Sequence, residues 1–155
     1  MKIVQLGCGI TGLVCAEQLV KNPKVNELVL ADSRTEAAKG AADRIRSDKI
    51  SVTKIDGTDV RDLKRLMKGC DIIVSSMPWE LNRKVLDTAA SIGTNYVDFS
   101  LTVASVEDLE GIIKKCTDSG ITALTAMGED PGMSDTFARY GANKLDKAEE
   151  AHVMD

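Results

Sequence analysis

The chain has 155 residues, a formal net charge of −4 and an apolar content of 43%, the composition of a single soluble globular domain. The acidic balance and an aromatic content of only 3% exclude the basic, base-stacking surface of a nucleic-acid-binding protein. No apolar run is long enough to cross a bilayer, so we expect no membrane partner. The 4 cysteines lack CxxC spacing and there is 1 histidine, which argues against a metal site and favours a reducing, cytoplasmic location.

Short apolar runs alternate with amphipathic stretches along the whole chain, and the runs predict strands covered on both faces. The predicted strands are Ile3–Leu6, Glu27–Ala31, Ile50–Ile55, Asp71–Ser75, Asn95–Asp98 and Ile121–Ala126. Helical spacing of apolar residues fills the intervals, and a last helix is predicted from Met133 to Leu145. This alternation predicts an α/β fold, a doubly wound parallel sheet of about six strands in the order 3-2-1-4-5-6.

The first two predicted strands enclose a glycine-rich turn, Gly7–Gly12, and the second strand leads to Asp32. Strand, glycine turn, helix, strand and acid follow one another in the order of a dinucleotide-binding Rossmann domain. Gly7 permits the tight turn, Gly9 lets the backbone approach a pyrophosphate, and Gly12 lets the helix pack close to the strand. We therefore expect the chain to bind a dinucleotide.

The polar groups around this turn indicate which dinucleotide is bound. The helix that begins at Ile10 and Thr11 offers N–H groups without helical partners, and a partial positive charge, to the phosphates. Asp32 is placed to accept hydrogen bonds from the adenosine ribose and to repel a 2′-phosphate, which favours NAD. Arg34, next to Ser33, leaves NADP as the alternative, because its guanidinium can pair with a 2′-phosphate. The same guanidinium can instead pack on the adenine or remain a solvated loop charge.

Ligands of open parallel sheets bind outside the carboxyl ends of the strands, so the residues there are further candidates. Asp56 is placed either to meet the adenine amino group or to form a turn. The small residues and the proline of Ser76–Pro78 let the main chain pass close to the pyrophosphate and the nicotinamide. Asp98 lies near the nicotinamide or makes structural hydrogen bonds. Glu129 and Asp130 either hold an amine substrate or cap a helix.

Four segments of the chain, taken together, resemble the saccharopine dehydrogenase family, which includes relatives of lysine 6-dehydrogenase. The segments are Gly7-x-Gly9-x-x-Gly12, Ser75–Pro78, Tyr96–Ser100 and Gly128–Gly132. The last is the most discriminating, because a general Rossmann domain does not need a Gly-x-Asp-Pro-Gly element. The resemblance extends from Met1 to about Leu145. It implies oxidation or reduction of a C–N bond in an amino-acid substrate, with NAD or NADP as the cofactor.

The resemblance also implies roles for individual residues. It implies that Asp32 binds the ribose. It also implies that the cofactor is lined by Ser76, Met77 and Pro78. The residues implied near the nicotinamide are Val97, Asp98 and Phe99. The candidate substrate contacts are Ser100, Glu129 and Asp130. No catalytic acid or base is assigned. Residues 1–145 form the expected dinucleotide-binding domain, and residues 146–155 the start of a strand that leads to a substrate domain beyond this sequence.

The expected function is therefore the cofactor domain of an amino-acid oxidoreductase, inactive without its substrate domain. Its expected partners are an amino-acid substrate, reached through that further domain, and a second copy of the chain in a homodimer. The alternative is a stand-alone Rossmann module that senses a nucleotide and regulates another protein, as the regulatory domains of ion channels do. A third hypothesis is a non-enzymatic protein that pairs through its exposed sheet edge.

Overall fold

The computed structural model describes residues 1–100 and 103–152. Within these residues six strands and six helices alternate along the chain. Their bounds are β1 Lys2–Leu6, α1 Ile10–Leu19, β2 Glu27–Asp32, α2 Thr35–Ile45, β3 Ile50–Lys54, α3 Val60–Met67, β4 Ile72–Ser75, α4 Trp79–Ser91, β5 Asn95–Asp98, α5 Val106–Asp118, β6 Ala123–Leu124 and α6 Met133–Ala142. The predicted alternation of strands and helices is confirmed.

All six strands are parallel and form one sheet in the order β3-β2-β1-β4-β5-β6, as the sequence predicts. Strand β1 is one of the two central strands, and its Val4 lies opposite Val29 of β2 and Ile73 of β4. The chain winds in one direction from β1 to β3 and in the other from β4 to β6. The connections after β1 and β4 therefore separate at the carboxyl end of the sheet and leave a crevice there.

The sheet is buried on both faces, and successive side chains of β1 belong to opposite layers. Val4 and Leu6 pack with the helices α3, α4 and α5, where Leu63 and Leu86 are buried. Ile3 packs in the other layer, with Ala16 of α1 and with α2. By the same alternation Gln5 faces the layer that contains α1. Continuous apolar strands thus hold the carboxyl ends of β1, β2 and β4 in fixed positions around the crevice.

The structure differs from the predicted boundaries mainly at the last strand and the last helix. Strand β6 has only Ala123–Leu124, where the sequence predicts Ile121–Ala126. It pairs with β5 alone, so among the described residues no outer strand extends its ladder. Helix α6 ends at Ala142 rather than at Leu145, because the N–H groups of Lys144 and Leu145 bond three residues back and close turns. The other strand ends shift by one residue at most.

The strand that the sequence predicts at the end of the chain can be compared with the structure only up to residue 152. Residues 147–152 belong to no helix or strand, and residues 153–155, where the expected final strand continues, lie outside the described residues. The division of the chain near residue 145 therefore stays a prediction. In the part of the chain that the structure describes, no helix combines the length and apolar character needed to cross a bilayer.

The two helical leucines Leu63 and Leu109 offer a matched test of the core. Leu63 is 0% exposed on α3, and Leu109 is 42% exposed on α5. Replacing Leu63 by alanine leaves a cavity and is expected to lower the free energy of unfolding by about 2–5 kcal/mol. Leu109→Ala is expected to change it by about 0.5 kcal/mol or less. Urea unfolding followed by circular dichroism measures both, and equal losses would contradict the core assignment.

Candidate cofactor-binding site

The glycine turn between β1 and α1 shows a separate reason for each of its three glycines. Gly7 has a φ of +87°, and a Cβ there would lie 2.7 Å from the backbone oxygen of Ser76. A Cβ on Gly12 would overlap the carbonyl oxygen of Gly7, so a side chain would force α1 away from β1. A Cβ on Gly9 would meet no atom of the chain within 4 Å. Gly7 and Gly12 therefore maintain the turn, and Gly9 keeps its outer surface open.

Asp32, at the end of β2, ties the glycine turn to the loop that follows. Its side chain is largely buried, and its Oδ2 accepts a hydrogen bond from the N–H of Cys8 at 2.8 Å. Its Oδ1 accepts one from the N–H of Arg34 at 2.9 Å. Each carboxylate oxygen keeps a second lone pair for another donor, such as a ribose hydroxyl. The exposed guanidinium of Arg34 lies beside this carboxylate, with Nε 3.9 Å from Oδ1.

The same surroundings keep the Cys8 thiol unreactive. Burial, and then the negative charge of Asp32, raise the pKa of Cys8 to about 12. The thiol is therefore protonated at neutral pH, and the thiolate is the form that reacts. Cys8 acts in the turn as a small apolar residue.

The loops after β3 and β4 meet at Gly57 and Met77. A Cβ on Gly57 would overlap the terminal methyl group of Met77, so the flexible end of this side chain packs directly on Gly57. Next to it, Oδ1 of Asp56 accepts hydrogen bonds from the N–H and the hydroxyl of Thr58, at 2.9 and 2.7 Å. These bonds lower the pKa of Asp56, which stays ionised at neutral pH. Asp56 forms the turn and also presents an exposed carboxylate beside Met77.

On the other side of the glycine turn, an open cavity of about 900 Å³ lies between α1 and the ends of β4, β5 and β6. Its walls are mostly apolar, and Ile10 at its rim is 89% exposed. The candidate residues that line it are Ile10, Thr11, Ser76, Met77, Phe99, Ser100 and Glu129. The structure thus brings together candidates from four separate strand ends.

The remaining candidates lie outside this cavity. Asp32, Ser33, Arg34 and Asp56 stand at the ends of β2 and β3, beyond the glycine turn. Pro78 is the exposed residue that precedes α4, and Val97 is half-buried within β5. The site therefore has two parts: a polar part at β2 and β3, and an apolar part at β4 to β6. Gly9 lies between them.

Asp98 is fully buried beneath the apolar part and connects β5 to the segment that follows β6. Its Oδ1 accepts hydrogen bonds from the N–H of Ser100 at 2.9 Å and from the N–H of Ala126 at 3.0 Å. Tyr96 lies next to it, and burial, together with the charge of Asp98, raises the pKa of the Tyr96 phenol. The Asp98 side chain therefore sets the positions of the main chain around Ser100.

Asn82 of α4 extends this buried polar network. It accepts a hydrogen bond from the Ser75 hydroxyl at 2.7 Å and donates one to the Ser100 hydroxyl at 3.1 Å. Its carbonyl oxygen accepts the Tyr96 hydroxyl at 3.2 Å. Sequence reasoning did not single out Asn82, and it named Tyr96 only within the Tyr96–Ser100 segment of the family resemblance, without a role. In the sequence, the one feature that could have indicated these two residues is a polar group at a position that the apolar pattern predicts to be buried.

The Gly128–Gly132 segment packs directly on the end of β5. A Cβ on Gly128 would overlap the carbonyl oxygen of Phe99, so this glycine lets the loop reach the strand. Of the two acids, Asp130 contacts the first turn of α6, where its Oδ1 accepts a hydrogen bond from the hydroxyl of Ser134 at 2.7 Å. Glu129 is exposed at the cavity wall. Within the described residues, no group of three or more His, Cys, Asp or Glu side chains is placed to hold a metal ion.

Comparison with known proteins identifies the family of the chain. Residues 3–124 match the family described as the saccharopine dehydrogenase NADP binding domain. Carboxynorspermidine synthase of Vibrio cholerae serotype O1 is 25% identical over 177 residues, which cover 100% of this chain and 43% of that protein. Saccharopine dehydrogenase (NADP(+), L-glutamate-forming) of Saccharomyces cerevisiae is 28% identical over 147 residues, covering 94% of this chain and 31% of the relative.

Solved structures show the same fold. Apo saccharopine dehydrogenase (L-Glu forming) from Saccharomyces cerevisiae superposes with a TM-score of 0.79 at 21% identity, over 93% of this chain and 31% of the other. GenD2 from gentamicin A biosynthesis, solved in complex with NAD, gives a TM-score of 0.71 at 18% identity, over 94% of this chain and 39% of the other.

The fold and the glycine turn are those of a dinucleotide-binding Rossmann domain. The chain belongs to the family of the saccharopine dehydrogenase NADP-binding domain. It spans less than half the length of the relatives above. The predicted fold class and the family resemblance are confirmed.

The open surface at Gly9 and the crowded one at Gly12 predict opposite outcomes for two equivalent substitutions. Gly9→Ala is expected to keep the fold and thermal stability of the wild type but to lose measurable cofactor binding, because the Cβ would occupy the path expected for the pyrophosphate. Gly12→Ala is expected to lower the melting temperature, because its Cβ overlaps the Gly7 carbonyl oxygen. Thermal denaturation and calorimetric titration test the pair; undiminished binding by Gly9→Ala would place the pyrophosphate elsewhere.

Proposed function

We propose that the chain provides the cofactor half of an oxidoreductase that acts on a C–N bond of an amino-acid substrate, with NAD as its preferred cofactor. The observation that carries this proposal is the open turn surface at Gly9, between the Asp32 carboxylate and an apolar cavity. A dinucleotide has the same succession of parts: a ribose with hydroxyl donors, a pyrophosphate, and a flat nicotinamide ring.

The pyrophosphate would lie over the first turn of α1. The first hydrogen bond of this helix runs from the N–H of Leu13 to the carbonyl oxygen of Gly9. The N–H groups of Ile10, Thr11 and Gly12 therefore have no partner within the helix, and the helix dipole adds a partial positive charge. These groups would hold the phosphates without a charged side chain.

Cofactor preference depends on the Asp32 carboxylate and the Arg34 guanidinium. Asp32 has lone pairs for the ribose hydroxyls, and its charge would repel a 2′-phosphate. Arg34 is exposed beside it and would attract the same phosphate. The family's name specifies NADP, whereas the solved neighbour GenD2 holds NAD. We infer that NAD is preferred, because Asp32 is the more buried and the more firmly held of the two groups.

The nicotinamide would enter the apolar cavity, where the bound cofactor supplies or accepts a hydride. Met77 and Phe99 would exclude water from one side of the ring, and the Asp98 network would fix the main chain around Ser100. Ser100 and Glu129, both exposed at the cavity, are the candidate contacts for an amino-acid substrate. No residue of the chain is assigned as the catalytic acid or base.

The cytoplasmic location and the homodimer predicted from the sequence stay predictions. Cys8, Cys15, Cys70 and Cys116 are free thiols in the structure, which accords with a reducing compartment.

The roles of Asp32 and Arg34 are tested by titrating NAD(H) and NADP(H) by calorimetry. Wild type is expected to prefer NAD(H). Asp32→Ala is expected to weaken NAD(H) binding by about 1.5–3 kcal/mol, roughly 10- to 150-fold, because charge-assisted hydrogen bonds to the ribose are lost. Arg34→Ala is expected to weaken only NADP(H). Asp118→Ala removes an exposed α5 carboxylate of the same charge and serves as the control. Equal or tighter NADP(H) binding by wild type would overturn the preference.

The amino-acid chemistry is tested by assaying NADH absorbance with saccharopine and lysine, for this chain and for the intact gene product side by side. We expect this chain to bind cofactor without turnover. Hydride transfer needs the reacting carbon about 3–3.5 Å from the nicotinamide in a site closed to water, whereas this cavity is open at Ile10. Turnover by the chain alone would show a complete site. Binding without turnover by the intact gene product would favour the nucleotide-sensing alternative.

A further inference from the structure

The glycine turn is supported from inside the protein by a buried amide. Gln5 lies in β1 between Val4 and Leu6, is 0% exposed, and faces the layer that contains α1. Its Nε2 donates a hydrogen bond to the carbonyl oxygen of Gly12 at 2.5 Å and a second one to the carbonyl oxygen of Gly7 at 3.3 Å. One side chain thus connects the strand, the turn and the first turn of α1.

These two bonds use the amide's donors, and no group in the described part of the chain uses its acceptor. An amide –NH₂ group has two N–H bonds, which suits two carbonyl oxygens on neighbouring segments. The Oε1 atom of Gln5 is buried and has no hydrogen-bond partner among the described residues. The donor side is therefore the part of Gln5 that the fold uses.

The peptide between Gly7 and Cys8 is held at both of its ends. On one side, the carbonyl oxygen of Gly7 accepts the amide of Gln5 and also the hydroxyl of Ser76, at 2.9 Å. On the other side, the N–H of Cys8 donates to Asp32. Because a peptide unit is planar, these contacts fix its orientation and the direction in which the following residues leave it. The bond to Gly12 places α1 relative to that peptide.

We propose that Gln5 is a positioning residue for the cofactor's pyrophosphate, acting through the Gly7 and Gly12 carbonyls. This rests on the proposed function, since it concerns the N–H groups that would hold the phosphates. With its donors in place, the N–H groups of Ile10, Thr11 and Gly12 keep a common direction before any ligand arrives. Without them, Gly12 loses its bond to β1 and Gly7 keeps only Ser76, so the N–H groups must be ordered during binding.

The test compares Gln5→Met, which keeps the length but removes both donors, with Thr88→Val. Thr88 is buried on α4 and donates one hydrogen bond to the carbonyl oxygen of Lys84, so the control also loses a buried donor. NADH, ADP and adenosine are titrated against each variant. Gln5→Met is expected to weaken NADH and ADP binding by about tenfold, the effect of losing one or two hydrogen bonds. Adenosine binding, which needs no pyrophosphate contact, is expected to stay unchanged. The control is expected to match wild type for all three.

Gln5→Glu adds a pH readout that a merely structural role would not give. An ionised carboxylate there faces two carbonyl oxygens and repels them, whereas a protonated carboxyl donates to one of them. The affinity of Gln5→Glu for NADH, relative to wild type, is therefore expected to rise as the pH falls from about 8 to about 5.5. A ratio that does not change with pH would contradict the proposal.

The outcomes separate this inference from the function on which it rests. If wild type binds no NADH, the proposed function fails. If wild type and Gln5→Met bind NADH with equal affinity, Gln5 does not position the pyrophosphate. The same conclusion follows if Gln5→Met weakens adenosine binding as much as it weakens NADH binding. If Gln5→Met does not fold, the wild-type Gln5 side-chain amide is followed by NMR during NADH titration. Slow hydrogen exchange and a shift on binding would support the proposal, and a resonance that stays unchanged would overturn it.

Discussion

The close approach of helix α1 to strand β1 is the constraint on which the rest of this structure depends. Only a residue without a side chain fits at position 12, because a Cβ would overlap the carbonyl oxygen of Gly7. This approach buries the carbonyls of the turn, and a buried carbonyl without a donor costs about 1–3 kcal/mol. Donors must therefore come from nearby side chains, and Gln5 and Ser76 provide them. The carbonyl oxygens of Gly7 and Gly12 thus have donors on the inner side of the turn, and the outer side at Gly9 is left open.

The two parts of the proposed site differ in polarity because they lie at different strand ends. At β2 and β3 the strand ends carry Asp32, which is buried and hydrogen-bonded, and the following loops carry the exposed charges of Arg34 and Asp56. At β4 to β6 the strands end on residues that continue the core, so Met77 and Phe99 extend the apolar surface outward to the cavity. A ligand that spans both parts needs a polar end, an apolar end and an anionic centre.

Much of the fold can be predicted from patterns that are visible in the amino-acid sequence. The strand order and the glycine turn follow from the alternation of apolar runs and from the spacing of Gly7, Gly9 and Gly12. The buried polar groups do not. Gln5 lies within an apolar run, and only the folded structure shows that its side chain contacts two carbonyl oxygens. Asn82 is likewise part of a helical pattern, and its partners Ser75 and Ser100 come from two separate strand ends.

In the proposed site, cofactor preference and turn geometry depend on one carboxylate. Both oxygens of Asp32 already accept main-chain N–H groups, from Cys8 in the glycine turn and from Arg34 in the next loop. An asparagine has one acceptor oxygen, so it would satisfy one of these groups and turn an –NH₂ toward the other. A neutral replacement that removes the repulsion of a 2′-phosphate therefore also loosens the turn that holds the pyrophosphate. In the proposed site, the preference for an unphosphorylated ribose and the position of the phosphate-binding turn are therefore linked through Asp32.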